Sequence, residues 1–399
     1  MRILKVVQFY YPFQDRGGPV VKVRALANAL ASRGHEITVL TADLGLNKMK
    51  NLDMQFQSCQ WGHCAEENNI KAVYLPTLTH YRAMTLNPAV IGFSRSSLRR
   101  FDLVHFYGLY DLLGPAVSHF CRSMGQPYVI EPMGMHRPID RGLALKRVWH
   151  RSVGHAFLQH AAQFVATSEL EEEDLVSGGV PSEKVVLRYN GIDAKSFSSL
   201  PQRGRFRHAH NIGADQPVLL FLGRLIPRKG ADILIDAFAK ACPVSGRLVI
   251  AGPEGEPGYV DLLRQKAVAA GVESRVIFTG PLYDDDKFQV LADSDIFMLP
   301  SRYENFANSA AEAIASGMPV IISDRCGISS LVDGRAGLVI PTETGALVRA
   351  IETLLHDTVM YQKFQQGCHA VAAELGWDRL SEQMEGYYAR AMESKNGHN

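Results

Sequence analysis

The side chains best suited to chemistry lie in two short stretches. One is Pro300-Ser301-Arg302-Tyr303-Glu304-Asn305-Phe306-Ala307-Asn308-Ser309-Ala310-Ala311-Glu312-Ala313-Ile314-Ala315-Ser316-Gly317-Met318-Pro319-Val320, which holds two carboxylates. Glu304 falls in a polar loop, and Glu312 inside the helix that follows, on a turn otherwise built from alanine. The free amides at such a helix start, from Asn305, Phe306, Ala307 and Asn308, suit an anion or a hydroxyl-rich ligand. The other stretch is Gly223-Arg224-Leu225-Ile226-Pro227-Arg228-Lys229-Gly230. Arg224 brings a planar fork of donors and Lys229 a point charge beside a helix start. Solvated surface charge is the competing reading for both stretches.

These residues need elements to hold them. Ile296 to Leu299 reads as an apolar strand feeding the Glu304 loop. The helix runs from Phe306 to Ser316 and is closed by Gly317 and Pro319, and Val320 to Ile322 is the next strand. Such a loop lies at the carboxyl end of a parallel strand, where open α/β sheets take ligands. Pro217 to Leu222 is the strand that delivers Arg224, and Ala231 to Ala241 the helix after Gly230. The pattern continues with strands at Leu248–Ala251, Arg275–Phe278 and Gly337–Ile340. Helices are expected at Tyr259–Ala270, Asp284–Ala292, Glu343–Leu355 and Trp377–Met392. In the first half, Ile3 to Phe9, a loop ending in Gly17-Gly18-Pro19, a helix stopping at Gly34, and Ile37 to Leu40 make a βαβ opening. The glycine pair fits either close backbone approach to a ligand or a plain tight turn. It is not G-x-G-x-x-G, so the dinucleotide fingerprint fails. Asp102–Tyr107, Tyr128–Glu131, Phe164–Thr167 and Val185–Tyr189 read as further strands. Ser168 with Glu171 forms a capping-box pattern. Residues 44 to 95 are irregular, with a strand at Val73–Leu75 and a loop from Tyr81 to Pro88.

With its flanks (Pro-Ser before, Glu-Asn-Phe, then Glu-Ala and Gly-x-Pro-Val), the run around Glu304 and Glu312 resembles the E-x7-E signature of retaining glycosyltransferases. The nearest pattern is glycosyltransferase family 4, the group 1 glycosyltransferases, which has the GT-B fold. Gly-Arg followed by Lys-Gly resembles the family's phosphate clamp, and Asn190-Gly191-Ile192-Asp193 resembles the Asn-Gly-x-Asp that ends its amino-terminal domain. The resemblance implies an α/β protein of two Rossmann-like β/α/β domains facing across a cleft. It puts an acceptor-binding domain at 1–190, a linker at 191–215, a nucleotide-sugar-binding domain at 216–376, and a terminal helix at 377–399 crossing back to the first domain.

The same resemblance implies the roles. Glu304, with the amides of Asn305, Phe306, Ala307 and Asn308, holds the transferred sugar. Glu312 holds the ribose. Gly223, Arg224 and Lys229 hold the diphosphate, Ile277 and Phe278 the base, and Gly17 and Gly18 the donor phosphates or the acceptor. The chain departs from the pattern at Met133, where a sugar-contacting His is usual, and at Ala307, where Gly is usual. His136 either replaces the missing His as a catalytic residue or is structural. Neither a metal nor a cofactor is implied. The donor is a nucleotide diphosphate sugar, and the acceptor a glycan, lipid-linked or small molecule. An epimerase of the same fold and a non-catalytic sugar-nucleotide-binding protein are the alternatives. A phosphorylase would need a pyridoxal-phosphate lysine and normally a longer chain.

Composition sets the outer limits. A chain of 399 residues suits two domains, and 42 basic against 41 acidic side chains argues against a general nucleic-acid binder. No window has the roughly eighteen consecutive apolar residues of a membrane span. The opening Met-Arg-Ile-Leu-Lys-Val-Val reads as a strand rather than a signal peptide. Six cysteines suggest no disulfide framework and fit a reducing cytoplasm. Cys59, His63 and Cys64 imitate a metal corner but read as structural thiols, since no second pair follows. Asp293-Ser294-Asp295 reads as capping and turn chemistry. Arg137 to Phe164, with Arg141, Lys146, Arg147 and Arg151, reads as a basic amphipathic helix. It lies either on an anionic membrane, at the inner face of the cell membrane, or as a solvated cationic face.

Overall fold

Apolar runs bounded by turns become the buried strands of two sheets. The computed structural model describes residues 1–13, 18–46, 55–81, 84–138, 143–197 and 199–393. Contacts divide the chain into two units, one of Met1–Gly191 with Trp377–Asn399 and one of Ile192–Gly376.

The first unit contains β1 (Arg2–Val7), β2 (Glu36–Ala42), β3 (Gln57–Cys59), β4 (Gly62–Glu67), β5 (Ile70–Leu75), β6 (Thr79–Tyr81), β7 (Met84–Leu86), β8 (Leu103–Tyr107), β9 (Tyr128–Glu131), β10 (Gln163–Ala166) and β11 (Val185–Leu187). Nine of them form one sheet in the order β11-β10-β9-β8-β1-β2-β5-β4-β3. From β11 to β5 the pairing is parallel; β4 and β3 add antiparallel at one edge. Val7, Tyr107 and Glu131 lie in register at the carboxyl end. Helices Gly18–Ser32 and Trp377–Glu393 cover one face, and Leu113–Met124 and Val153–Gln159 the other.

Three of the expectations change here. β3, β4 and β5 fill most of residues 57–75, and β6 pairs with β7 where a loop was expected; Arg82 and Ala83 lie outside the described residues. Cys59 and Cys64 are joined by a disulfide, so they are not the free thiols expected. The β3–β4 hairpin brings their Cα atoms to 5.9 Å, inside the range a disulfide spans. Arg137 to Phe164 is not one helix. It contains Leu143–Arg151 and Val153–Gln159, separated at Ser152, whose ψ of −109° is not helical. Gly154 lies against the buried Trp149 ring, 2.3 Å from where a Cβ would stand, so the chain turns around that side chain. Asp140 and Arg141 lie outside the described residues.

The second unit contains β12 (Val218–Leu222), β13 (Arg247–Ala251), β14 (Val276–Gly280), β15 (Ile296–Leu299), β16 (Val320–Ser323) and β17 (Gly337–Ile340). The sheet is parallel throughout, in the order β14-β13-β12-β15-β16-β17. Residues 191–215, expected as a polar linker, are part of this unit from Ile192 and carry the helices Ala194–Phe197 and Arg205–Ala209. Carboxylates hold the second of these. Asp293 accepts from the backbone of Phe206 at 2.6 Å and of Arg207 at 3.1 Å, which caps the second helix. Asp295 accepts from Arg207 Nη2 at 2.9 Å and from the Val218 amide at 2.7 Å. The Asp293-Ser294-Asp295 run is therefore spent on turn and cap bonds, for a helix almost ninety positions upstream.

The terminal helix Trp377–Glu393 belongs to the first unit through burial. Met384, Tyr388 and Ala391 are fully buried among Val23, Leu26 and Leu30. Burying a large apolar side chain contributes about 1.5–3 kcal/mol, so packing outweighs any one surface pair. Glu385 adds register: it accepts from Arg33 Nε at 2.7 Å and contacts His35 Nε2 at 2.7 Å. The Arg33 hydrogen bond, against some burial and with help from His35, holds the Glu385 carboxyl down at about 2. Its stabilisation is thus complete above the ordinary value of 4.5 and is lost as pH falls toward 2. Glu385→Gln is expected to cost about 1 kcal/mol or less at neutral pH, given its exposure and screening by salt. Urea unfolding of both proteins across pH measures this. A difference that does not shrink on acidification would refute the assignment.

Candidate active site

Arg224 and Lys229 leave the carboxyl end of β12 on a loop propped by its neighbour. Leu225 donates to the Pro253 carbonyl at 2.9 Å, and Gly255 to the Leu225 carbonyl at 3.0 Å. The Arg224 stem lies on Gly255, where a Cβ would come within 2.5 Å of its Cγ and Cδ. Pro227–Lys229 makes one tight turn that Gly230 ends at φ +76°. Glycine is required there twice over: by the left-handed backbone, and because a Cβ would stand 2.1 Å from the Pro300 carbonyl oxygen. That close approach seats the loop after β12 against the loop after β15, and Lys229 Nζ pairs with the Glu304 carboxylate.

Backbone bonds fix the Glu304 loop. The Glu304 amide donates to the Arg325 carbonyl at 2.9 Å, and its own carbonyl accepts from Gly327 at 2.9 Å. The Arg302 amide donates to the Arg228 carbonyl at 2.8 Å. Buried Ser301 donates its hydroxyl to the same carbonyl at 3.0 Å, and its carbonyl accepts from Ser323 Oγ at 2.5 Å. Arg302 Nη2 donates to Asp232 at 2.8 Å. Burial works against the charge on Asp232, but the hydrogen bond and charge of Arg302 outweigh it and hold that carboxyl below its ordinary range. Burial pushes the Cys326 thiol up to about 12, so it stays protonated near neutral pH.

Glu312 lies on helix Asn308–Ala315 and accepts from Lys287 Nζ at 3.0 Å. Phe306 and Ala307 are buried and Asn308 is exposed. Ala307 has φ +82°, a left-handed conformation rare for a residue with a Cβ. Ile277 and Phe278 sit on β14, the outer strand, two places from β12. The Phe278 ring carries the Arg264 guanidinium at 4.7 Å.

In the first unit, Gly18 opens helix Gly18–Ser32; Gly17 lies outside the described residues. Met133 (φ +56°) and Gly134 (φ +76°) turn the chain left-handed after β9. The Glu171 carboxylate binds the Gly134 amide and accepts from the Thr167 amide at 2.8 Å, while Ser168 Oγ caps the Glu171 amide at 3.1 Å. The expected capping box is therefore present on the serine side, and the glutamate is used to hold the β9 loop. His136 is buried against Gly178, in ring contact with His150 at 5.6 Å. Burial pushes the His136 imidazole down, against a hydrogen bond with the Gly178 backbone.

Two family patterns match this chain: a glycosyl transferase 4-like domain over residues 17–191 and the glycosyl transferases group 1 over residues 202–368. A D-inositol 3-phosphate glycosyltransferase of Jonesia denitrificans is 30% identical across 94% of this chain and 92% of that one. The chain belongs to the group 1 glycosyltransferases. An uncharacterised glycosyltransferase of Methanocaldococcus jannaschii, MJ1607, is 24% identical over 98% of each chain. The fold is GT-B. It superposes on Anabaena Alr3699/HepE, solved in complex with UDP, with a TM-score of 0.76 at 21% identity over 98% of this chain and 100% of that one. Sucrose-phosphate synthase of Thermosynechococcus elongatus gives 0.75 at 21% identity over 98% and 99%.

In this transferase, Lys229 and Glu304 meet directly and Arg224 shares their loop pair, while Glu312 is paired separately with Lys287. Lys287, Asp232 and Ser323–Gly327 were not singled out from the sequence. The last of these follows the apolar run of β16, so the rule that sites gather at strand carboxyl ends would have flagged it. Ala307 yields a test. Losing its buried methyl and adding glycine entropy are offset by relief of the left-handed backbone, worth about 1–2 kcal/mol. Ala307→Gly should therefore stay within about 1 kcal/mol of the parent, whereas Ala310→Gly, in the helix interior, should lose roughly 1–2 kcal/mol. Thermal unfolding compares them, and equal losses would show that the strain is absent.

Proposed function

We propose that this transferase moves a hexosyl unit from a nucleotide diphosphate sugar to an acceptor hydroxyl with retention of configuration, in building a cell-surface polysaccharide or glycolipid. The Lys229–Glu304 pair, with Arg224 on the same loop, is the observation that carries the reading. It joins a cation suited to phosphate to a carboxylate suited to sugar hydroxyls, within one side-chain contact. Diphosphate oxygens would engage Arg224 and Lys229, sugar hydroxyls Glu304, and ribose hydroxyls Glu312. As the glycosidic bond breaks, charge grows on the diphosphate, and the two cations and the amides opening helix Asn308–Ala315 stabilise it where it develops. The UDP complexes of Alr3699/HepE support the donor class. No metal ion and no cofactor enter this scheme.

Helix Leu143–Arg151 supports a peripheral contact with an anionic membrane, and with it an acceptor linked to lipid. It exposes Leu143, Leu145 and Val148 beside Lys146, Arg147 and Arg151, the pattern of an interfacial helix.

Kinetics separate the two glutamates. Glu304→Gln should lower kcat and kcat/KM together, by roughly a hundredfold or more, as the loss of a transition-state contact does. Glu312→Ala should act mainly on KM and on binding of the bare nucleoside diphosphate. Lys229→Ala should damage both. Chelator should leave the parent rate unchanged; activity that vanishes and returns with magnesium or manganese would overturn the metal-free scheme. Near-normal turnover in Glu304→Gln, with nucleoside diphosphate affinity collapsed, would exchange the two roles.

A further inference from the structure

The first unit contains a cavity of about 1010 Å³ lined in part by His136 and by cations of the 137–151 stretch. Phe164, at the start of β10, and Ser177 to Pro181 with Lys184, just before β11, line it. It therefore opens at the amino end of these strands, at the opposite end of the sheet from Glu131 and Gly18. Its size is that of a small-molecule site.

The lining is strongly cationic. Arg137, Arg147, Arg151 and Lys184 contribute four permanent charges against the single carboxylate of Asp174. Arg137 partly spends its charge on Asp174, at 3.3 Å, and Lys184 donates to the Ala161 carbonyl at 3.1 Å. Among the described residues Arg147 and Arg151 have no such partner. His150 also lines the cavity, bound to the Tyr110 hydroxyl at 3.0 Å. The wall itself holds a second sign of a ligand. His136 is only 9% exposed, and its Nδ1 has no hydrogen-bond partner among the described residues. A buried nitrogen without a partner is costly, and one on a cavity lining is satisfied by whatever enters. Gly178 keeps that wall thin, because a Cβ there would stand 2.3 Å from His136 Nε2.

We propose that this cavity binds a phosphate-bearing ligand. Two guanidinium forks with no partner among the described residues, and an imidazole, suit the three oxygens of a phosphomonoester dianion, where a carboxylate offers two. The phosphate comes either from a lipid headgroup or from a soluble phosphorylated compound. The site does not depend on the transfer reading; it shares Arg147 and Arg151 with the membrane reading.

The test uses the full chain and Arg147→Gln/Arg151→Gln, both exposed positions, with circular dichroism to verify folding. Inorganic phosphate is titrated calorimetrically, with Arg224→Ala/Lys229→Ala as the control for binding at the diphosphate residues. Affinity should fall roughly tenfold or more in the first variant, by loss of two charge-assisted contacts, and persist in the second. Flotation then uses phosphatidylcholine vesicles carrying phosphatidic acid or phosphatidylserine. Recovery with phosphatidic acid that free phosphate competes away identifies a lipid source. Binding of phosphate and glucose 6-phosphate without vesicle recovery identifies a soluble one. Equal phosphate affinity in the parent and Arg147→Gln/Arg151→Gln overturns the site. Vesicle recovery that is the same for both anionic lipids and indifferent to phosphate leaves the membrane reading standing and overturns the pocket.

Discussion

A carboxylate sealed from water must be compensated where it sits, and Glu131 is fully buried. Lys22 pairs with one of its oxygens, and Arg188 Nη2 donates to the other at 2.7 Å. Burial opposes its charge, but Arg188 and Lys22 outweigh that and hold the carboxyl below its ordinary range. Burial and the Arg188 charge push the Lys5 amine well down, and it donates to the Tyr107 hydroxyl at 2.5 Å. His105 beside them bonds the Tyr388 hydroxyl at 2.7 Å. One ion cluster thereby joins β1, β8, β9, the residue after β11, the first helix and the terminal helix. Breaking a buried pair from one side costs about 3–5 kcal/mol, so these elements share one register. Lys22 stands one turn inside the helix that Gly18 opens, which ties the start of that helix to the same charge.

The second unit positions its chemistry by a different means. Its acidic and basic groups are half exposed, and what fixes them is backbone. Gly230 against the Pro300 carbonyl, Ser301 on the Arg228 carbonyl, and the Glu304 amide and carbonyl on Arg325 and Gly327 clamp three strand-end loops together. Charged side chains on rigid loops keep their freedom to exchange one partner for another, and in the function proposed above Lys229 exchanges Glu304 for the donor.

Much of this was legible in the residues. The parallel strands are apolar runs, and the Glu304 to Glu312 stretch names its own strand, loop and helix. Three things were not legible, each because it depends on distant partners. β3 and β4 exist because β4 found the edge of β5, and the disulfide follows from the pairing of β3 with β4. The 203–216 segment has no apolar period to read; its anchor is Asp293 and Asp295. Nothing marks Arg188, inside the expected strand Val185–Tyr189, until Glu131, 57 positions earlier, is placed beside it. The unusual alanine at position 307 stood out in the sequence, but only the backbone angle says what it costs.

The two units differ in how the chain builds them. Residues 192–376 form theirs from one continuous stretch, whereas the first unit takes its last helix from beyond it. A chain leaves the ribosome amino end first. The second unit can therefore be finished while the first still lacks Met384, Tyr388 and Ala391. Until those arrive, the stripe of Val23, Leu26 and Leu30 stands open to solvent and His105 has no hydroxyl to bind. The unit that leads the second in the chain is closed after it, and in that interval it is the one with apolar surface exposed.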